Sequence, residues 1–182
     1  MSTSDFSSLN LNPSLVKNLG TLSYDVMTPI QALSLPLILE GKDVIGQGKT
    51  GSGKTAAFGL GLLHKLNVKS YKVQSIVLCP TRELADQVAS EIRKLARAIH
   101  NIKILTLCGG APFGPQIGSL EHGAHIVVGT PGRIEEHLRK KTLKLDHVEM
   151  LVLDEADRML DMGFQDAIDD IVEKIPSNRQ TL

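Results

Sequence analysis

The sequence predicts an α/β fold in which a parallel sheet is covered by helices on both faces. Short β-branched apolar runs alternate with helical patterns along most of the chain, as in sheets built from strand–helix units. These runs are nearly continuous Ile, Val and Leu, which is typical of strands buried on both faces. A chain of 182 residues with 42% hydrophobic and 22% charged residues can bury such a sheet.

The elements follow one another in a regular order. Two short helical segments, near residues 13–19 and 29–39, form an extension over residues 1–41 that must pack onto the sheet unit of residues 42–182. Strands are predicted at Asp43–Gln47, Gln74–Cys79, Lys103–Cys108, Ala124–Gly129 and Glu149–Asp154. Helices are predicted at Gly53–Leu66, Arg82–Ile99, Pro131–Lys141 and Phe164–Ile175. The last residues, Gln180-Thr181-Leu182, look like the start of another strand.

Composition excludes several classes of protein. The apolar runs are too short to span a bilayer, and the first residues lack the basic and apolar parts of a secretory signal. We therefore expect a cytoplasmic, monomeric protein without membrane contact, in which Cys79 and Cys108 are buried and reduced. The six histidines share no metal-ligand spacing and are expected to be structural or solvated. Basic residues outnumber acidic ones over residues 1–146, which favours an anionic partner there.

A phosphate site is predicted between the first strand and its helix. Residues 48–55 read Gly-Lys-Thr-Gly-Ser-Gly-Lys-Thr and match the pattern G-x-x-x-x-G-K-[ST] in the context that confirms it. The glycines let several backbone N–H groups point at one anion, and the helix N-terminus adds partial positive charge. We expect the phosphates to contact Thr50, Gly51, Ser52, Gly53, Lys54 and Thr55. Lys54 can reach the β- and γ-phosphates, and Thr55 offers a hydroxyl to Mg²⁺.

Two adjacent carboxylates end an apolar strand later in the chain. Asp154 and Glu155 follow Met150–Leu153, where a nucleotide site needs a carboxylate on Mg²⁺. We expect Asp154 to hold the metal through its waters and Glu155 to orient and deprotonate the attacking water. The alternative is an acidic helix N-terminus, which the macrodipole would favour without any ligand.

Three further segments follow predicted strands and suit a row of phosphates. They are Pro80-Thr81-Arg82, Gly109-Gly110 and Thr130-Pro131-Gly132-Arg133. Carboxyl ends of parallel strands meet at one edge, so these N–H groups and arginines are predicted to lie together. With 3% aromatic residues and no Trp, the chain lacks a multi-base stacking platform, so contact with the backbone of a single strand is expected.

These motifs resemble the first RecA-like domain of DEAD-box RNA helicases. Asp154-Glu155-Ala156-Asp157 matches the motif that gives the family its name, and the other motifs come in family order over nearly the whole chain. Upstream, Tyr24 and Thr28-Pro29-Ile30-Gln31 look like the adenine-reading Q motif, with Phe6 as the family's isolated upstream aromatic. Residues 107–114 and 157–164 look most like the bacterial DbpA type, and ribosome biogenesis is the process this implies.

The resemblance implies roles for single residues. Tyr24, Thr28 and Gln31 would bind adenine, because an amide can meet both N6 and N7 of that base. The alternative is that Tyr24 only packs at the surface and that Gln31 is a solvated helix residue. Lys54, Asp154 and Glu155 would be catalytic, with Mg²⁺ on Thr55 and Asp154. The three segments after the strands would bind RNA, and ribosomal RNA is the expected target. Asp157 would couple the chain to a Ser-Ala-Thr motif.

The sequence also departs from the family. Gly48 replaces the usual Ala and is expected to loosen the loop entrance, and Ser23 replaces the usual Gly. The Ser-Ala-Thr motif and the second RecA-like domain with its arginine fingers do not occur within the 182 residues, so a fragment of a longer protein is expected.

The function predicted from the sequence is ATP hydrolysis with Mg²⁺, coupled to RNA unwinding. The chain would be the ATP- and RNA-binding domain of that helicase and nearly inactive alone. Two alternatives are a small P-loop phosphotransferase, for which no lid segment is found, and an ATP-gated RNA-binding module without turnover. Glu155 argues against the last, and ATP turnover by the whole protein would distinguish it.

Overall fold

The structure, a computed structural model, describes residues 5–182. After a 3-10 turn at Phe6–Ser8, its helices are α1 (Pro13–Thr21), α2 (Pro29–Leu39), α3 (Lys54–Lys65), α4 (Arg82–Leu95), α5 (Phe113–Glu121), α6 (Pro131–Arg139), α7 (Ala156–Asp161) and α8 (Gln165–Glu173). Its strands are β1 (Ser75–Leu78), β2 (Ile104–Leu107), β3 (Ile126–Gly129), β4 (Met150–Leu153) and β5 (Gln180–Thr181). None of the helices in this described part is long and apolar enough to cross a bilayer.

The five strands form one parallel sheet in the order β2-β3-β1-β4-β5. The register aligns Leu78 of β1 with Gly129 of β3 and Leu153 of β4, and Gly129 with Leu107 of β2. The carboxyl ends of four strands are therefore level. The residues that follow them are brought to one edge of the sheet, as the sequence predicts.

Alternate residues of each strand enter two separate cores, one on each face. Val77 packs with the residues of α1, α3 and α4, whereas its neighbours Ile76 and Leu78 pack with α6 and α8. All three side chains are fully buried. This two-sided burial explains why the strands carry no polar alternation, and it confirms the predicted sheet with helices on both faces.

The N-terminal helices belong to the first of these cores. Leu15 and Leu19 of α1 and Leu35 of α2 are fully buried in it. Asn18 donates two hydrogen bonds from Nδ2, to the carbonyl oxygens of Lys94 (2.9 Å) and Leu95 (2.8 Å), which end α4. The predicted extension thus packs onto the sheet unit, although its residues 1–4 lie outside the described part.

The predicted strand at Asp43–Gln47 is wrong. This segment is extended but makes one ladder-like backbone bond, from Val44 N to Thr181 O at 3.2 Å. The neighbouring strand β5 is only two residues long, and its Thr181 N–H donates to the side chain of Asp43 rather than to the backbone of this segment. The side chain of Ile45 is fully exposed. An apolar run becomes a strand only where a ladder is available to satisfy its backbone groups.

Two helices were not predicted. Helix α5 reads FGPQIGSLE, and its two glycines and one proline conceal the helical pattern. Helix α7 has six residues, too few for a periodic signal. Helix α2 has its predicted bounds, and α1 extends two residues beyond its prediction. The remaining predicted helices and strands are present with ends shorter by a few residues, and β5 confirms the strand start predicted at Gln180.

Candidate active site

The glycine-rich loop of residues 48–53 leads into the N-terminus of α3. Gly53 is the N-cap residue of that helix, with a φ of +94° in the left-handed region. A Cβ at this position would lie 2.5 Å from Gln31 Nε2 and 2.9 Å from Thr28 Oγ1, so only glycine fits. The free N–H groups at the start of α3 therefore lie beside the loop, which suits an anion.

Lys54 occupies the loop that precedes it. Its ammonium group donates hydrogen bonds to the carbonyl oxygens of Gly48 and Lys49, the latter at 3.0 Å. Ser52 Oγ is buried in the same loop and has no hydrogen-bond partner among the described residues. The loop is closed around its own lysine, and a bound phosphate would give both groups an oxygen acceptor.

Gly48 permits this closed conformation. A Cβ at this position would lie 2.8 Å from Ser52 Oγ, closer than such contacts allow. The missing Cβ lets Ser52 approach the loop entrance closely, and a looser loop entrance at Gly48 stays a prediction. Thr50 and Gly51 lie at the exposed tip of the loop, and Thr55 is half-buried in the first turn of α3.

Thr28 and Gln31 hold the phosphate loop from behind. The two residues form a capping box at the start of α2, where Gln31 Oε1 accepts a hydrogen bond from Thr28 N at 2.9 Å. Gln31 Nε2 donates to Gly53 O at 3.1 Å, and Thr28 Oγ1 donates to Ser52 O at 2.8 Å. Gln31 is only 1% exposed, so it is not the solvated helix residue that the sequence left open.

Tyr24 is anchored away from this loop. Its hydroxyl donates to Glu91 Oε1 at 2.6 Å, and its ring meets the buried Phe6 edge to face with centroids 6.3 Å apart. Burial, followed by the bond to Glu91, raises the pKa of Tyr24 to about 12. The contact explains the spacing of Phe6 and Tyr24, while stacking of Tyr24 on a base stays a prediction.

Asp154 and Glu155 stand at the end of β4 in different surroundings. Asp154 is buried, and burial followed by the nearby Glu155 carboxylate raises its pKa above the usual value; the Lys54 ammonium acts in the opposite direction. Glu155 adopts a left-handed conformation with a φ of +52°, and its carboxylate pairs with Arg158 at 3.2 Å. A divalent cation would stabilise the ionised form of Asp154 and reduce the repulsion between the two carboxylates.

One cleft connects these groups. It has a cavity volume of about 1070 Å³ and is lined by the loop, by Lys54, and by the acidic residues Asp154, Glu155 and Asp157. Its apolar wall comes from α2 and α3 and includes Ile30 and Phe58. The predicted phosphate loop and the predicted carboxylates are thus brought together, and exposed Asp157 lies at the same opening.

The three segments predicted to bind phosphates lie along the level strand ends. Pro80-Thr81-Arg82 follows β1, Gly109-Gly110 follows β2, and Thr130-Pro131-Gly132-Arg133 follows β3, which lies between them. Thr81 caps α4 by accepting a bond from Leu84 N at 3.3 Å, and Thr130 is the N-cap of α6 with Pro131 in its first turn. We call this edge the rim and define it by these segments.

The two rim arginines differ in their exposure. The Arg82 side chain is half exposed, 3.7 Å from Asp86, and its NH1 lies 3.5 Å from a Cβ built at Gly110. The Arg133 side chain is 12% exposed, and its NH1 donates to Ala111 O and Gln116 Oε1, both at 3.0 Å. Contact of Arg133 with RNA stays a prediction, and in the structure its guanidinium faces the protein.

Sequence reasoning missed the residues behind Arg133. Gln116 of α5 is buried and accepts a hydrogen bond from Arg133, and His137 of α6 is fully buried beside it. His137 follows Arg133 by one helical turn, and this spacing could have predicted that the two side chains are neighbours. The sequence contains no comparable sign for Gln116, because the helix that carries it was not predicted.

The chain is similar to known proteins in both sequence and structure. Residues 28–182 match the family described as "DEAD/DEAH box helicase". The chain is 62% identical over 178 residues to the ATP-dependent RNA helicase DbpA of Escherichia coli (strain K12), and 52% identical over 177 residues to the ATP-dependent RNA helicase CshA of Listeria monocytogenes. Its structure is similar to that of a DEAD box protein from Methanococcus jannaschii, with a TM-score of 0.93 at 39% identity over 98% of this chain.

The chain spans less than half the length of these relatives. Both sequence matches include 97% of this chain but only 39% of DbpA and 34% of CshA. The structural match covers 49% of the M. jannaschii chain. The similarity therefore concerns one part of longer proteins, and the described motifs all lie within that part.

Proposed function

Because the chain belongs to the DEAD/DEAH box helicase family, we propose that it is the ATP- and RNA-binding first domain of an ATP-dependent RNA helicase. One observation supports this most: the cleft with Lys54 and Asp154 and the three rim segments lie at the same edge of one sheet. A nucleotide in the cleft and an RNA strand on the rim would be bound side by side. The family membership favours this over a phosphotransferase.

ATP and Mg²⁺ fit the residues of the cleft. Thr55 and Asp154 would hold the metal, which supplies charge neutralisation at the phosphates. Lys54 would exchange the carbonyl oxygens of Gly48 and Lys49 for phosphate oxygens, which opens the loop. Glu155 would accept a proton from the attacking water once its carboxylate leaves Arg158. The raised pKa of Asp154 and the unpartnered Ser52 Oγ support a site that is completed by its ligand.

Adenine recognition is tested by comparing the affinities of the chain for ADP and GDP. One amide hydrogen and one lone pair of Gln31 are used within the protein. One of each would be available to adenine once a bound nucleotide opens access to this buried side chain. We expect ADP to bind at least about tenfold more tightly than GDP. In Gln31→Ala we expect the preference to disappear and both affinities to fall, because the loop loses its support. Calorimetry measures both, with the exposed Gln165→Ala as control.

Equal affinities for ADP and GDP in the unmodified chain would contradict the adenine-reading role. A weaker affinity for both in Gln31→Ala with the preference retained would assign Gln31 to loop support alone.

RNA binding is expected to be weak, salt-sensitive and independent of sequence. The rim presents backbone N–H groups at two helix starts, the exposed Gly110 and Gly132, and the accessible Arg82, so few phosphates are contacted. The plot of log K against log salt should have a slope of about −2, as for two to three phosphates on a single strand. Arg82→Ala should weaken binding for all sequences and make the slope shallower by about one unit or less.

Fluorescence anisotropy with two unrelated labelled single strands measures this. Arg139→Ala is the matched control, because Arg139 is exposed at the far end of α6. Strong discrimination between the two strands would show that base contacts exist and that the proposed backbone binding is incomplete.

The finer parts of the proposal follow from the resemblance and the residues. We propose ribosomal RNA as the partner of the whole protein, by its similarity to the DbpA type, and a cytoplasmic monomer, as expected with two free buried cysteines. An ATP-gated module without turnover remains the second candidate, distinguished by replacing Glu155 with Gln in the whole protein. Loss of hydrolysis with retained ATP binding supports the enzyme.

A further inference from the structure

A cluster of polar and aromatic side chains lies behind the rim. Gln116 and Phe113 come from α5, and Arg133 and His137 from α6. Gln116 is 8% exposed and His137 is fully buried. Buried polar groups of this kind are nearly always hydrogen-bonded. Their hydrogen-bond partners therefore show which part of the backbone the cluster keeps in place.

The hydrogen bonds of the cluster fix both ends of the pair Gly109-Gly110, which we call the glycine doublet. Gln116 Nε2 donates to Cys108 O at 3.1 Å, just before Gly109. Arg133 NH1 donates to Ala111 O at 3.0 Å, just after Gly110. The same NH1 also donates to Gln116 Oε1 at 3.0 Å, which joins the two attachments. One amide and one guanidinium nitrogen thus link the loop of residues 108–111 to the first turn of α6.

His137 completes this network as a neutral imidazole. Gln116 Oε1 can only accept, so His137 Nε2, 2.8 Å away, must carry a hydrogen. The Thr142 hydroxyl lies 2.8 Å from His137 Nδ1 and 3.2 Å from His137 O, and beside a neutral ring its single hydrogen is donated to Nδ1, the nearer acceptor. Burial, followed by the charge of Arg133, lowers the pKa of His137, in agreement with a neutral ring. A neutral ring adds no positive charge beside Arg133.

An aromatic side chain covers the network. The ring of Phe113 stacks on His137 with centroids 4.2 Å apart and planes 19° apart. Lys140 Nζ lies 4.1 Å from the centroid of the Phe113 ring, and Arg133 Cζ lies 5.4 Å from it. Glu136 accepts from Arg133 Nε at 3.1 Å and from Lys140 at 3.0 Å. The guanidinium is therefore held from three sides, which limits its freedom to move toward a ligand.

We propose that Gln116 and His137 are positioning residues that act through Arg133 to hold the glycine doublet and the start of α6 as one phosphate-binding surface. The proposal rests on the proposed RNA-binding function of the rim. Gly109 and Gly110 are exposed and have no side chains of their own to fix them. A fixed loop does not lose further conformational freedom when it binds, so the network is expected to strengthen RNA binding without touching RNA.

Gln116→Leu tests the proposal, because leucine keeps most of the volume and removes all three hydrogen bonds. We expect amide hydrogen exchange at residues 109–111 to become about tenfold faster, while exchange in α3 stays unchanged. RNA affinity should fall about fivefold at low salt, and ADP affinity should not change. Gln116→Glu keeps acceptor oxygens for Arg133 and His137 but cannot donate to Cys108 O, so it should recover only part of the RNA affinity. The control is Gln165→Leu on the exposed face of α8.

Two further variants keep the test decisive. His137→Phe keeps an aromatic ring against Phe113 and removes the hydrogen bonds to Gln116 and Thr142. The bonds to Cys108 O and Ala111 O remain, so this variant should give the same two changes to a smaller extent, and it serves as the test if Gln116→Leu does not fold. In an Arg133→Ala background, Gln116→Leu should weaken RNA binding less than it does in the unmodified chain, because only the bond of Gln116 to Cys108 O is then left to lose. Additive losses would overturn that route.

Unchanged exchange at residues 109–111, or faster exchange throughout the domain with weaker ADP binding, would overturn the proposal. If the unmodified chain binds no labelled oligouridylate, the proposed RNA-binding function fails, and the exchange comparison still decides whether the network fixes the loop.

Discussion

Replacing Lys54 with alanine is expected to weaken ADP and ATP binding about tenfold to a hundredfold and to leave the fold intact. Hydrogen bonds from an ammonium to phosphate oxygens are charge-assisted, and their loss corresponds to roughly 1.5–3 kcal/mol of binding free energy. Lys54 has no role in either core, because among residues 5–182 its ammonium donates hydrogen bonds only to the loop carbonyls of Gly48 and Lys49. Alanine is also the best helix former, so α3 should not be weakened.

Calorimetric titration with ADP and thermal unfolding of the same samples measure both parts of this expectation. Lys17→Ala is the matched control, since Lys17 is an exposed lysine of α1 and does not line the cleft. The assignment of Lys54 fails if the variant binds ADP as tightly as the unmodified chain, or if it loses cooperative unfolding.

The motifs could be located from the sequence because each is local and its place in the sheet follows from one rule. Residues after parallel strands meet at one edge, so Asp154, Arg82 and Gly110 were correctly predicted to lie along it. The register then makes the strand ends level, through pairs such as Leu78 with Gly129. No knowledge of side-chain contacts was needed for this part.

The orientation of single side chains could not be predicted in the same way. Arg133 faces the protein because Gln116 and Ala111 offer it acceptors, and the helix with Gln116 is concealed by glycine and proline. Gln31 is bound to Gly53 across the core, a contact between residues 22 positions apart. Such contacts depend on how the elements pack, which a one-dimensional pattern does not contain.

The strand predicted at Asp43–Gln47 failed for a related reason. Its apolar pattern is correct for a strand, but strands need partners, and β5 gives it one backbone bond. Strand formation is therefore a property of the sheet, whereas the phosphate loop keeps its conformation through Thr28, Gln31 and Lys54.

The 182-residue chain alone is expected to bind ATP but to release phosphate at least about a thousandfold more slowly than a full-length relative such as E. coli DbpA with saturating RNA. Charge that develops on the γ-phosphoryl oxygens needs a cation on the open side of the cleft, and an arginine finger is worth roughly 10³–10⁵ in rate. Among the described residues, Arg158 is the arginine that lines the cleft, and it pairs with Glu155.

The other candidate arginines are engaged elsewhere. Arg82 lies on the rim beside Gly110, and Arg133 is bound by Ala111 and Gln116. From the resemblance, we expect the cations to come from a second RecA-like domain that closes over ATP and RNA together. Lys54, Asp154 and Glu155 would then supply phosphate, metal and water contacts without the final charge stabilisation, so we expect binding and hydrolysis to separate in this chain.

Steady-state phosphate release, with and without a high concentration of single-stranded RNA, measures this separation against the full-length relative. Arg158→Ala shows whether the arginine in the cleft contributes: we expect the low rate to stay the same or rise slightly, because the substitution frees Glu155 from its ion pair. A fall of tenfold or more would make Arg158 a finger supplied by this domain itself. RNA-stimulated turnover within tenfold of the full-length relative would show that one domain is sufficient, because the cations needed in the transition state would then have to come from residues 1–182.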